Sequence, residues 1–213
     1  MEEKFTDAIF FDNGQQNIAN IQQFCDRITC VKIQNGTERA ISFHQEPLQS
    51  FLNSIPANAY VQFMRKNGIK KDKYDFASGI QEREMHVFVS WLQSYHGKRA
   101  AFFDWDRTIT MVSGLFLPET TINGEFIEDL LVYALGGFQR LAALRDMFQL
   151  CFLNNVTIVI LSNSTVCNYA NFNAILHQLI KGPFIKLCAN GQNKGNVLAK
   201  NARFYNLCKT LRG

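Results

Sequence analysis

The chain has 213 residues, 47% of them hydrophobic and 19% charged, with a formal net charge of +4. This composition excludes a disordered chain and is long enough for one sizeable core. The mild positive charge permits an anionic partner without demanding one, and a nucleic-acid interface is compatible but not indicated.

The first apolar run, DAIFFDNG (7–14), reads as a strand that stops in polar residues. Behind it QQNIANIQQFCDRI sets Ile18, Ile21, Phe24 and Cys25 on one helical face. ITCVKI (28–33) is a weaker strand. Residues 35–78 carry turn signals at Asn35-Gly36, Pro47, Pro56 and Asn67-Gly68, and a basic run at 66–73 that reads as solvated. We expect a long connection there, with one short helix near Gln45–Asn53. QEREMHVFVSWLQSYHG (81–97) is amphipathic through Met85, Phe88, Val89 and Leu92.

The second strong strand is RAAFFDWD (99–106). The segment 113–131 then predicts a hairpin flap turning near Asn123-Gly124, followed by a helix. Phe138, Leu141, Leu144, Phe148 and Phe152 mark a further helix, closed at Asn154-Asn155. VTIVILSNS (156–164) is the third strong strand. NYANFNAILHQLIKGP is a helix stopped by Gly182-Pro183, FIKLCA (184–189) a weak strand, and KGNVLAKNARFYNLCKTL the last helix. Continuous apolar runs suit strands covered on both faces, and their alternation with helices predicts an α/β fold with a mainly parallel, five-stranded sheet in a Rossmann-like three-layer α/β/α sandwich. We read residues 1–213 as a single domain.

No stretch approaches the roughly 18–20 apolar residues of a membrane span, so no membrane partner is expected. The start, MEEKFTDAIFFDNG, lacks the basic and long apolar regions of a signal peptide. Cys25, Cys30, Cys151, Cys167, Cys188 and Cys208 show neither a CxxC pair nor metal-ligand spacing. The expectation is a cytoplasmic protein with reduced thiols.

In parallel α/β sheets ligands bind beyond the carboxyl ends of the strands. All three strong strands end there in polar groups: Asp12-Asn13, Asp104 with Asp106, and Ser162-Asn163. Two carboxylates so close raise each other's pKa unless a cation or a reaction needs them. The first carboxylate of a DxDxT sequence can act as a nucleophile that forms an aspartyl-phosphate, and the second can protonate the leaving oxygen and later activate water. Mg²⁺ would let them stay together and neutralise an incoming phosphate. Asp and Thr also favour helix caps and turns, which is the structural alternative for each cluster.

DWDRT resembles motif I of the haloacid dehalogenase superfamily of phosphatases, and VILSNS resembles its motif II. The lysine the family places near the start of a later helix is matched by Lys194 in NGQNKGNVL, with Lys186 and Lys200 as competitors. The family's fourth motif, an Asp-Asp or Asp-Asn pair often followed by Asn-Ile, is matched at the front, in DAIFFDNGQQNIANI. The motif order IV, I, II, III implies a circular permutation, which compact domains tolerate. Residues 1–34 then hold motif IV, 35–98 the joint, and 99–213 motifs I to III.

The resemblance implies an Mg²⁺-dependent phosphomonoester hydrolase with a small cap or none. Asp104 would be the nucleophile and Asp106 the acid/base, its carbonyl on the metal. Thr108 would shape the loop, Ser162 and the backbone at Asn163 would bind phosphate, and Lys194 would balance charge. Asn13, with Asp12 beside it, would supply the metal contact. The open site implies a large phosphorylated substrate such as a phosphoprotein or a polynucleotide end, and small phosphorylated molecules stay in play. The alternative is a binding or scaffolding protein that keeps this fold with catalysis weak or lost.

Overall fold

The computed structural model describes residues 4–34, 79–94, 96–111, 128, 131–132, 134–168 and 170–208. The expected helix near Gln45–Asn53, the basic run and the flap turn at Asn123-Gly124 lie outside these residues.

All five expected strands form: β1 Asp7–Asp12, β2 Ile28–Lys32, β3 Arg99–Phe103, β4 Val156–Ser162 and β5 Ile185–Cys188. They make one sheet in the order β2-β1-β3-β4-β5, every pair parallel. β1 and β3 sit at its centre, and every residue of β3 is buried. This explains why their sequences are continuous apolar runs rather than alternating ones: each face of the sheet is covered.

The side chains of successive strand residues sort into two cores. Phe10, Phe102, Val159 and Leu161 pack with Ile18 and Ile21 of helix α1 (Gln15–Phe24) and with Leu198 of a late helix. Phe11, Phe103, Ile158 and Ile160 point the other way. They meet Phe88 and Trp91 of α2 (Glu82–Ser94), Leu144 and Phe148 of α3 (Phe138–Leu153), and Phe172 and Leu176 of α4 (Ala170–Ile180). Period-two alternation in the strands thus meets helical periodicity on both sides, giving three layers. Much of the Phe content is spent here: Phe11 stacks on Phe103 at 5.3 Å, and Phe103 meets Phe148 edge-on at 5.3 Å.

Two features differ from the sequence reading. The last helix is not continuous to the C-terminal residues: α5 spans Lys194–Lys200, and a 3₁₀ turn follows at Tyr205–Leu207. Asn201 ends α5 in an extended conformation, and its side chain accepts a hydrogen bond from Arg203 N at 3.0 Å. This break turns Phe204 and Leu207 into the core, where both are fully buried. The cysteines are also not all reduced. Cys25 is bonded to Cys208 and Cys167 to Cys188, leaving Cys30 and Cys151 as free thiols. Partners 183 and 21 residues apart cannot be read from spacing, because the fold alone brings them together. No helix among the described residues is long and apolar enough to cross a membrane.

Candidate active site

Asp12 closes β1, and Asp104 follows the last residue of the neighbouring β3. Asp104 N donates to Phe11 O at 3.0 Å, so the backbone pairing of the two strands fixes how far apart the carboxylates stand. Between them comes Lys194, the first residue of α5. Its ammonium donates to Asp12 Oδ2 at 2.6 Å and to Asp104 Oδ1 at 2.5 Å, and its side chain is fully buried.

Lys194 reaches this position because of its neighbours. Asn193 caps α5, its side chain accepting from Gly195 N at 2.8 Å and Asn196 N at 3.3 Å. At Gly195 a Cβ would stand 2.8 Å from Asn20 O of α1, closer than real Cβ atoms come. Glycine here lets α5 approach α1 closely enough to insert the lysine. The competing lysines lie elsewhere: Lys186 sits over the Phe172 ring, and Lys200 is exposed at the end of α5.

Both oxygens of Asp12 meet protein donors. Oδ1 accepts from Gly14 N at 2.7 Å, and Asn17 Nδ2 donates to Oδ1 and Oδ2 at 3.1 and 3.0 Å. Asp12 therefore makes the local turn expected of an aspartate before a helix and is also locked to Lys194. Asn17 was not among the expected site residues. Its signal was present, as the Asn-Ile of the fourth-motif resemblance, one turn into α1 on the side of Asp12.

Past Asp104 the chain makes one distorted turn, Trp105–Ile109, with Asp106 extended and Arg107 in the left-handed region at φ 54°. Asp104 makes no side-chain cap of this turn. Its Oδ2 instead accepts from Thr108 Oγ1 at 3.3 Å, and Thr108 Oγ1 accepts from Asn13 N at 3.1 Å. Thr108 thereby ties the ends of β1 and β3 together. Asp106 is half-buried at the rim, and Trp105 packs beneath the site, edge-on to Phe172 at 4.8 Å.

Burial pushes the Asp104 carboxyl up to about 7; Lys194 pulls it down, while the like charges of Asp12 and Asp106 raise it further. Three carboxylates facing one ammonium leave a formal excess of two negative charges around Asp104.

Ser162 and Asn163 are on the same rim, at the end of β4 next to β3. Their observed bonds are local: Ser162 Oγ accepts from Ser164 N at 3.0 Å, and Asn163 Oδ1 accepts from Gly191 N at 3.2 Å. The second bond ties the β4 loop to the loop leading into α5. The structure thus gathers Asp12, Asn13, Asp104, Thr108 and Lys194 into one bonded cluster, with Asp106 coupled to it through charge. Ser162 and Asn163 stand beside it without a bond to its carboxylates.

Among the described residues no three His, Cys, Asp or Glu side chains form a metal-holding group. Compared with protein families, with curated proteins and with solved structures, the chain finds no match in any of the three.

Proposed function

We propose that this chain is a phosphomonoester hydrolase that works through an aspartyl-phosphate on Asp104, and that its fold is a circularly permuted relative of the haloacid dehalogenase phosphatases. The observation that carries this reading is the buried Asp12–Lys194–Asp104 ion cluster at the carboxyl rim of two central parallel strands. The strand order adds support, since the strand bearing the DWDRT turn lies between those ending in Asp12 and in Ser162. A buried ammonium between two carboxylates is costly to assemble as mere structure, and strongly perturbed carboxyls gather where chemistry needs them.

Asp104 attacks phosphorus, and the bond to the leaving alkoxide breaks as Asp106 gives that oxygen its proton. Asp106, now a carboxylate, takes a proton from water, which attacks the phosphorus of the acyl phosphate, frees phosphate and restores Asp104. Lys194 holds Oδ1 of the nucleophile throughout and offsets the charge that the phosphoryl group brings. In this reading Ser162 and the backbone at Asn163, at the end of the next strand, bind the phosphate oxygens.

The donors fit Mg²⁺ in chemistry and charge. Asp104 Oδ2, the carbonyl of Asp106 and the side chain of Asn13 are all hard oxygen donors, and the excess of negative charge is what a dication would neutralise. Asp12 is the poorest of the expected ligands, because its two oxygens already accept four protein hydrogen bonds, where each oxygen of Asp104 accepts one. Bound there, the ion would keep Asp104 ionised and polarise the phosphoryl oxygens.

The substrate is a phosphate monoester, small or on a macromolecule. A cytoplasmic setting belongs to the same proposal, and the two disulfides are the observation against it. The test is hydrolysis of an aryl phosphate with and without Mg²⁺, for the wild type and Asp104→Asn, together with beryllofluoride trapping on Asp104. Mg²⁺-dependent turnover that vanishes in the variant supports the reading. A folded wild type that neither hydrolyses the ester nor binds beryllofluoride leaves the binding or scaffolding alternative standing.

A further inference from the structure

We propose that Arg140, on the first turn of α3, is a positioning residue of this site: its guanidinium holds the turn Trp105–Ile109 in the form that sets Asp106 and Thr108 against Asp104. The inference rests on the hydrolase reading for its catalytic consequence and on geometry alone for the clamp.

Arg140 is 1% exposed, although arginine is rarely buried so completely. Its guanidinium donates to four backbone carbonyls. Nη2 donates to Thr108 O at 3.3 Å and Nη1 to Ile109 O at 2.7 Å, both in the turn that follows the nucleophile. Nε donates to Ile80 O at 2.9 Å, and Nη1 also to Leu135 O at 2.9 Å. One planar group thus gathers three stretches of chain that are distant in sequence. A planar fork of fixed donors suits this, where a single ammonium would not.

The turn it grips needs holding. Arg107 adopts φ 54°, a conformation that non-glycine residues keep only where the surroundings over-determine it. Those surroundings are residues 79–80 and Arg140 together. Gly79 N donates to Arg107 O at 2.9 Å, and Ile80 N to Thr108 O at 2.7 Å, so two successive amides are bonded to the turn. Gly79 is suited to this place: it has φ 79°, and a Cβ there would stand 2.4 Å from Arg140 Nη2. The glycine and the arginine fit one another. Thr108, whose carbonyl Arg140 holds, is the residue whose hydroxyl touches Asp104, and Asp106 stands two residues before it in the same turn. Displacing that turn by about 1 Å would cost on the order of 100-fold in turnover.

The test is Arg140→Lys, which keeps the charge and the buried stem but cannot reach four carbonyls. Two readouts are taken: steady-state hydrolysis of an aryl phosphate, and hydrogen exchange at the Gly79 and Ile80 amides. The expected result is a kcat lower by roughly 100-fold with KM nearly unchanged, and faster exchange at those two amides while those of β3 and β4 stay protected. Wild-type kcat, or exchange at Gly79 and Ile80 as slow as in the wild type, overturns the proposal. Where Arg140→Lys does not fold, Arg140→Gln, a neutral side chain whose two N–H groups cannot serve all four carbonyls, takes its place, and the same readouts decide. An inactive wild type refutes the hydrolase reading alone; the exchange readout still tells whether Arg140 holds the turn.

Discussion

Asp104 should destabilise the protein it serves, and Asp104→Asn measures by how much. The carboxyl rises from its ordinary value of 3.8 to about 7 in the folded chain without a cation. Between those two pH values the native state holds a proton that the unfolded state has released. Stability therefore falls as pH rises from about 4 to about 7, and is level beyond. A shift of about three units corresponds to about 4 kcal/mol. Asparagine mimics the protonated carboxyl in shape, keeps an acceptor for Lys194, and escapes that cost. In EDTA at pH 8 the variant should be more stable than the wild type by about 4 kcal/mol, which for a chain of this length raises Tm by roughly 10 °C. At pH 4 the two should melt together. The assay is thermal and urea unfolding across that range. A variant less stable at pH 8, or a difference that does not change with pH, would show that Asp104 is ionised at no cost and that burial is not what sets its pKa. Such gains from removing a functional group are the usual trade between activity and stability.

Lys194→Met removes the shared counter-charge and leaves Asp12 and Asp104 facing each other in the interior. A loss of about 3–5 kcal/mol is expected at pH 8, less near pH 5 where Asp104 is protonated, read by urea unfolding at both pH values. The disulfides predict two reactive thiols per unfolded chain before reduction and six after, counted by thiol titration in denaturant. By loop-closure entropy, opening Cys25–Cys208 by Cys→Ser replacement should cost about 5 kcal/mol and opening Cys167–Cys188 about 3 kcal/mol. Six thiols before reduction would refute both pairings.

The three strong strands were legible in the sequence because a strand buried on both faces must be apolar throughout, and because a polar residue at its end marks where it leaves the core; the edge strands β2 and β5, only partly buried, gave the weaker signals. The same logic puts Asp12, Asp104 and Ser162 on one rim from the sequence alone, since parallel strands end on the same side. The DWDRT spacing was local and so could be read along the chain. What could not be read was anything that depended on two distant segments meeting. Lys194 was chosen over Lys186 and Lys200 from its place before a helix, but its bond to Asp12, 182 residues away, depends on the close approach of α5 to α1 that Gly195 permits. The cysteine pairs, the break at Asn201 that buries Phe204, and the grip of Arg140 on Thr108 and Ile109 are of the same kind. Periodicity and local motifs are properties of neighbours in sequence, so the chain states them directly. Ion pairs, disulfides and a buried guanidinium among carbonyls exist only once the sheet has brought its ends together, and the tertiary structure alone decides them.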